Sequence, residues 1–233
     1  MKIGVFDSGH GGLTVLSAMK SVLPNEEYFY IADSKNCPYG EKTDEELYPI
    51  VQDNVEKLRE WGAKIIVIAC NTATVRCLDK LRRDYPELQF VGTEPAIRLA
   101  AKSGARRILV LATPGTVESE RTQMLVEENR QPGQTIELLA CPGLADTIES
   151  RCSKNIKEVA GGTGALVDDY DGAVNAKVRE LFADEPDNYD IVVLGCTHYP
   201  LIKDTIQQFF PSAKLVDGSM GVAERVKSLT NRS

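Results

Sequence analysis

Short apolar runs alternate with segments of helical spacing along this chain, and this alternation restricts the possible fold more than any other feature. The runs are apolar at every position, a pattern typical of strands covered on both faces of a parallel sheet. Between two of them, Leu47, Val51, Val55 and Leu58 fall on one helical face before Gly62. The rhythm predicts an α/β fold with largely parallel sheets. The predicted strands are Lys2–Phe6, Tyr28–Ala32, Lys64–Ala69, Gln89–Gly92, Arg107–Ala112, Thr135–Ala140, Asp190–Gly195 and Lys214–Val216.

The two halves of the chain resemble each other. The stretch "IIVIACNTAT", which contains Cys70, is similar to "IVVLGCTHYP", which contains Cys196. We therefore expect two pseudo-symmetric α/β lobes with an active site at the interface between them. The first lobe is predicted to comprise residues 1–93 plus about 205–233, and the second about 94–204.

Charge and hydropathy exclude several classes of function. The net charge is −7 and the pI is near 5.0, whereas a general nucleic-acid binder needs a basic surface. No stretch approaches the roughly 20 apolar residues of a membrane helix. The first residues lead straight into a strand without the apolar segment of a signal peptide. We expect a cytoplasmic protein without nucleic-acid or membrane partners.

The six cysteines indicate free thiols. No two of them have the Cys-x-x-Cys spacing of a zinc or redox site, so no metal is expected. A reducing compartment also disfavours disulfides. Cys37, which precedes Pro38, is interpreted as a packing residue, and Cys77, Cys141 and Cys152 as structural or incidental.

Cys70 and Cys196 differ from the other thiols because each follows a predicted strand where a helix is expected to begin. Backbone N–H groups and the helix dipole at such a position favour a thiolate. Two thiols on opposite sides of one carbon atom can remove a proton from one face and return one to the other, which is racemisation. Asp7 is a candidate to accept a proton from a substrate ammonium group or to orient Cys70, and His198 a candidate to tune Cys196.

Five segments resemble the signature sequences of glutamate racemase, a family of the cofactor-independent aspartate/glutamate racemase superfamily. They are "GVFDSGHGG", "CPYGEK", "IACNTAT", "GTEPAI" and "VLGCTHYPLI", and the resemblance extends from residue 3 to about 227. It implies interconversion of L- and D-glutamate without a cofactor, which supplies D-glutamate for peptidoglycan, cell wall biogenesis and cell shape. It also implies a homodimer.

The same resemblance assigns roles to individual residues. Cys70 and Cys196 match the acid/base pair of the family, and Asp7 and His198 are predicted as further catalytic residues from their places beside these thiols. The positions that match substrate-binding residues are Asp7, Ser8, Tyr39, Gly40, Asn71, Thr72, Thr113, Thr116, Glu149, Thr197 and His198.

The chain departs from the family pattern in a few places. His10 stands where the family has a small apolar residue in "DSGxGG", and it is interpreted either as a solvated turn residue or as a pocket residue. "CPGLADTIES" replaces a more hydrophobic segment around Glu149, and residues 161–172 have no clear counterpart.

Other functions remain open at this stage. An aspartate racemase, or another amino-acid racemase of the superfamily, differs in the pocket for the substrate side chain. A hydrolase or lyase on the same fold needs only one cysteine, and a non-enzymatic amino-acid-binding protein needs neither thiol. Nucleotide binding is not expected, because the glycines of "DSGHGG" do not have the GxGxxG spacing.

Overall fold

Two four-stranded sheets, with every strand pair parallel, form the frame of the protein. The structure is a computed structural model that describes residues 1–152 and 172–231. The strand order is β2-β1-β3-β4 in the first sheet and β6-β5-β7-β8 in the second, so the second sheet repeats the order of the first. The predicted α/β fold class is confirmed. The strands are β1 (Lys2–Asp7), β2 (Glu27–Ala32), β3 (Ile65–Ile68), β4 (Gln89–Gly92), β5 (Arg107–Ala112), β6 (Thr135–Ala140), β7 (Ile191–Leu194) and β8 (Lys214–Val216).

Helices of very different length connect the strands. The longest begins after Thr43, whose hydroxyl accepts the N–H of Glu46 while the Glu46 side chain accepts that of Thr43. No helix in the described part of the chain is long and apolar enough to cross a membrane. The helices are α1 (Leu13–Val22), α2 (Asp44–Glu60), α3 (Asn71–Asp84), α4 (Ile97–Ala101), α5 (Pro114–Val117), α6 (Glu120–Asn129), α7 (Leu144–Glu149), α8 (Ala173–Phe182), α9 (Lys203–Gln207) and α10 (Ser219–Thr230), with 3₁₀ turns at Ser34–Asn36, Tyr39–Glu41 and Tyr199–Ile202.

The interior strands of both sheets are buried, except for the first residues of β1 and β5. Every residue of β3 and of β7 is buried, because each strand has neighbours on both edges and helices on both faces. The edge strand β2 has no fully buried residue. Burial on both faces explains why the sequence reads as continuous apolar runs rather than as alternating ones.

The end of the chain is divided between the two sheets. Strand β8 pairs with β7, with Leu215 opposite Val192, so it belongs to the second sheet. Only α10 returns, packing Val222 and Val226 into the apolar cluster on the first sheet. The predicted return at about residue 205 is therefore wrong for the last strand, because this run completes the edge of the second sheet. The glycine-rich stretch 161–172 lies outside the described residues except for residue 172.

Candidate active site

Cys70 and Cys196 lie at equivalent places in the two sheets. Each comes two residues after the end of its strand, Cys70 after β3 and Cys196 after β7. Both residues are buried. The thiols are close enough that a charge on Cys196 raises the pKa of Cys70. The fold thus brings together two thiols that are separated by more than half of the sequence.

Asp7, at the end of β1, joins the glycine turn of the first sheet to the loop after β7. Its carboxylate accepts the N–H groups of Gly9 at 3.2 Å and Gly12 at 3.0 Å. It also accepts the hydroxyl of Thr197 at 3.1 Å. Asp7 is buried, and this burial raises the pKa of its carboxyl group, although the positive charge of His198 opposes the shift. Asp7 therefore contacts the residue that follows Cys196, in addition to lying near Cys70.

Two glycines of the turn allow the sheets to approach each other closely. A Cβ atom at Gly9 would lie 2.4 Å from the carboxylate carbon of Glu149. A Cβ atom at Gly11 would lie 2.7 Å from the Thr197 hydroxyl and 2.8 Å from the His198 Nδ1. Gly9 and Gly11 are therefore explained by contact between the two halves of the protein.

Glu149, the last residue of α7, accepts hydrogen bonds from three side chains and one backbone group. Its Oε1 lies 2.6 Å from His10 Nδ1 and 2.5 Å from the Ser34 hydroxyl. Its Oε2 accepts the His10 N–H at 2.8 Å and lies 2.8 Å from His198 Nε2. Burial by itself would raise the pKa of Glu149, but the bonds to His10 and His198 outweigh it and hold the pKa well below the usual range. Glu149 is an ionised carboxylate at neutral pH.

His198 connects this carboxylate to the second thiol. Its Nδ1 lies 3.8 Å from Cys196 Sγ, and its side chain is only 1% exposed. Burial by itself would lower the pKa of His198, but its hydrogen bonds to Cys196 and Glu149 raise the pKa to about 10. At neutral pH this imidazole is positively charged, and both of its N–H groups have partners.

Cys70 has a different environment. It is the N-cap residue of α3, as the sequence predicts. However, burial and the negative charge of Asp7 raise the pKa of its thiol, although the Ala73 N–H and the Ser8 side chain oppose that shift. The helix terminus therefore does not by itself favour a thiolate at Cys70, because desolvation outweighs it.

Three threonine hydroxyls form a triangle across the interface between the sheets. Thr72 Oγ1 lies 2.9 Å from Thr113 Oγ1 and 3.2 Å from Thr116 Oγ1, which are 3.0 Å apart. All three residues are buried. Gly40 lies against this triangle, because a Cβ atom there would be 2.9 Å from that of Thr113. These positions, far apart in the sequence, are brought together as a group.

Three further predicted residues, Ser8, Asn71 and Tyr39, differ from one another in their surroundings. Ser8 and Asn71 are buried, and Asn71 lines a cavity of about 10 Å³ beside Cys196. The Tyr39 hydroxyl is occupied within the first half of the protein, where it donates to Asp33 at 2.6 Å and accepts from Asn54 at 3.0 Å. Its aromatic ring packs in the same apolar cluster as Cys70.

Sequence reasoning missed part of this site. The sequence does not predict Ser34 as a contact of Glu149. Cys152 is expected to be structural or incidental, yet its sulfur lies within 4.8 Å of a ring nitrogen of His10 and a carboxylate oxygen of Glu149. These three residue types can bind zinc. Both Glu149 oxygens already accept hydrogen bonds, so a cation would have to displace them. "DTIES" alone contains no signal for the contacts of Glu149 with His10 and Ser34, since these two residues are more than 100 positions away.

A much larger cavity lies elsewhere. It measures about 1060 Å³ and is lined by the end of β4 together with α4, α6 and α10. Leu99 and Met220 contribute exposed apolar side chains to it. None of the predicted site residues lines this cavity.

Comparisons with known proteins were consistent across sequence and structure. The profile of the Asp/Glu/hydantoin racemase family matches residues 11–224. The chain is 38% identical over 229 residues to the glutamate racemase of Ectopseudomonas mendocina (strain ymp), covering 97% of this chain and 81% of that protein. A crystal structure of Escherichia coli glutamate racemase in complex with L-glutamate and the activator UDP-MurNAc-ala is similar, with a TM-score of 0.78 and 32% identity, covering 100% of this chain and 83% of that chain.

A more distant likeness concerns the fold alone. The aspartate racemase of Picrophilus torridus has a TM-score of 0.57 and 16% identity to this chain, covering 98% of this chain and 94% of that one.

Proposed function

This chain belongs to the Asp/Glu/hydantoin racemase family, and from that premise we propose that it interconverts L-glutamate and D-glutamate. One observation carries the proposal: two buried thiols follow equivalent strands of two sheets with the same strand order. Each thiol then serves one face of the substrate Cα, and the active site is the interface between the sheets.

The reaction balances with the two thiols alone. The thiolate of one cysteine takes the Cα proton and becomes a thiol, leaving a carbanion next to the substrate carboxylate. The thiol of the other cysteine gives its proton to the opposite face and becomes a thiolate. The product is the other enantiomer, and exchange of a proton with water restores the starting state. This cycle requires no cofactor and no metal.

The neighbours of the thiols support different starting states. His198 carries a positive charge at neutral pH and lies 3.8 Å from Cys196 Sγ, where it stabilises a thiolate. Burial and the negative charge of Asp7 keep the proton on Cys70. An ammonium group beside Asp7 would remove part of this penalty, so substrate binding itself assists ionisation of Cys70.

Polar groups around the thiols suit the other charges of glutamate. Hydroxyl, amide and backbone groups bind carboxylates without adding a net charge to the site. The cavity beside Cys196, at about 10 Å³, is the size of about one water molecule. Glutamate is much larger than this cavity, so the cavity by itself cannot hold the substrate. The substrate-binding groups proposed are those of Asp7, Ser8, Tyr39, Gly40, Asn71, Thr72, Thr113, Thr116, Glu149, Thr197 and His198.

The family resemblance supports a cellular role as well. D-Glutamate is a component of peptidoglycan, so the proposed product serves cell wall synthesis. We also propose a cytoplasmic location, where a reducing environment keeps the thiols free. A homodimer is part of the same proposal, and light scattering during size-exclusion chromatography tests it.

Circular dichroism tests the activity directly. L-Glutamate in buffer without pyridoxal phosphate should lose its optical activity, and D-glutamate should do so with the same endpoint. In D₂O, deuterium should enter Cα of the product. The absence of both racemisation and exchange, starting from either enantiomer, would refute the proposal.

L-Aspartate under the same conditions separates the nearest alternative. We expect turnover of glutamate to exceed that of aspartate, because the relative at 38% identity is a glutamate racemase. The reverse preference would support the aspartate racemase hypothesis.

A further inference from the structure

We propose that His10 is a positioning residue that orients Glu149 toward His198 and thereby controls the reactivity of Cys196. The inference rests on the proposed function only for its effect on turnover. His10 is also the residue at which the chain departs from the family pattern "DSGxGG".

His10 holds the carboxylate through two of its own groups. Its Nδ1 lies 2.6 Å from Glu149 Oε1, and its backbone N–H donates to Glu149 Oε2 at 2.8 Å. Two bonds from one residue to the two oxygens of a carboxylate fix the plane as well as the place of that group. The His10 side chain is 17% exposed and that of Glu149 is 8% exposed, so water competes little for these bonds.

The carboxylate in turn orients His198. Glu149 Oε2 lies 2.8 Å from His198 Nε2, and the opposite nitrogen of that ring lies 3.8 Å from Cys196 Sγ. An imidazole with partners on both nitrogens cannot rotate without losing one of them. The orientation of the N–H group at Cys196 is thus set by the position of Glu149, and that position is set in part by His10.

Glu149 needs support from outside its own helix. It is the last residue of α7, a helix of six residues, and the helix dipole disfavours a negative charge at the C-terminal end. If the His10 side chain were removed, the Ser34 hydroxyl would be the one remaining hydrogen-bond donor to Oε1 among residues 1–152 and 172–231. The carboxylate would then gain freedom to turn away from His198.

Three substitutions distinguish the hydrogen bond at Nδ1 from the other properties of histidine. In His10→Asn the amide nitrogen occupies about the place of Nδ1 and retains the donor without a charge. In His10→Gln the amide extends farther and the donor is displaced, while His10→Val removes it. The backbone N–H of residue 10 is kept in every variant. Thermal unfolding measured beside each assay checks that the variants are folded.

The first measurement is the rate of alkylation of Cys196 by iodoacetamide at pH 7.5, followed peptide by peptide by mass spectrometry with Cys70 as the internal reference. We expect His10→Val and His10→Gln to slow alkylation of Cys196 about tenfold, the scale of one hydrogen bond to a charged group. Alkylation of Cys70 should change less than about twofold, and His10→Asn should behave as wild type.

The second measurement is steady-state racemisation. His10→Val should lower kcat about tenfold with KM within about threefold, and His10→Asn should restore kcat. Unchanged Cys196 alkylation and kcat in His10→Val would overturn the inference. Equal defects in His10→Asn and His10→Val would also overturn it, because the charge of His10 would then matter rather than its hydrogen bond. If the wild type fails to racemise glutamate, the proposed function fails, while the alkylation result still decides the role of His10.

Discussion

The strand ends that carry Cys70 and Cys196 share a backbone position but differ in charge. Each thiol lies two residues beyond a fully buried strand. Cys70 begins a 14-residue helix and has the carboxylate of Asp7 near it. Cys196 precedes a short 3₁₀ turn and has the imidazole of His198 at 3.8 Å. A repeated fold can therefore repeat the placement of two groups while their neighbours make them chemically unequal.

Replacing each cysteine separately is the strongest test of the proposal that both thiols take part in the reaction. Cys70→Ser and Cys196→Ser should each lower kcat/KM for glutamate by at least about 10³-fold, because each face of Cα needs its own acid or base. Racemisation assays with both enantiomers measure this. Cys141→Ser is the matched control, since Cys141 is also buried directly after a strand.

A one-cysteine mechanism makes a different prediction. One of the two serine variants would then retain most of the activity. Loss of activity in Cys141→Ser, to the extent seen at Cys70 or Cys196, would show that the assay reports folding rather than chemistry.

The positive charge of His198, beside Cys196, should make the free energy of unfolding depend on pH. The pKa of His198 is raised to about 10 in the folded protein, above the unfolded value of about 6.5. Stabilisation by the protonated ring is therefore fully present below pH 6.5 and is lost as the pH rises toward 10. The free energy of unfolding should fall by about 2 kcal/mol between pH 6.5 and 8.5.

Urea unfolding at several pH values measures this slope. The variant His198→Asn should be less stable than the wild type at pH 6.5. Its free energy of unfolding should change little between pH 6.5 and 8.5. Glu149, whose pKa is lowered, contributes stability above about pH 4.5 that is lost on further acidification, so it does not affect this window. Equal slopes in wild type and His198→Asn would contradict the assignment of the charge to His198.

The contact between the glycine turn after β1 and the loop after β7 should be sensitive to a single methyl group. Gly11→Ala should cost about 1–3 kcal/mol of stability and also lower kcat/KM, because the new Cβ would press on Thr197 and His198. Gly221→Ala is the matched control. Residue 221 lies inside α10 with nothing within 4 Å of the added atom, so this change should stabilise the protein by about 0.5–1 kcal/mol. Thermal unfolding and racemisation of both variants test the contrast, and a neutral Gly11→Ala would show that the sheets are free to separate there.

Most of the secondary structure was predictable from local pattern. Each of the eight predicted strands is present, and Gln89–Gly92, Arg107–Ala112, Thr135–Ala140 and Lys214–Val216 have the predicted bounds. Continuous apolar runs are informative because parallel sheets bury both faces of a strand. The family membership predicted from five short segments is also confirmed.

The sheet to which the last strand belongs was not predictable in the same way. Lys214–Val216 has only three residues, and an apolar run that short fits the edge of either sheet. The strand belongs to the second sheet because it pairs with β7. This pairing is made by backbone hydrogen bonds, which do not depend on residue type.

By itself, the sequence determined the strands, their order of appearance and the thiols at two strand ends, because each of these depends on residues close together in the chain. Only the tertiary structure decided which charges surround those thiols. Glu149 meets His10 across 139 residues and His198 across 49. Contacts at such separations depend on how two sheets pack, and burial then sets the strength and the sign of their effects on each pKa. The likeness between the segments that begin at Cys70 and at Cys196 is therefore visible in the sequence. The difference in charge around their two thiols is produced by the fold.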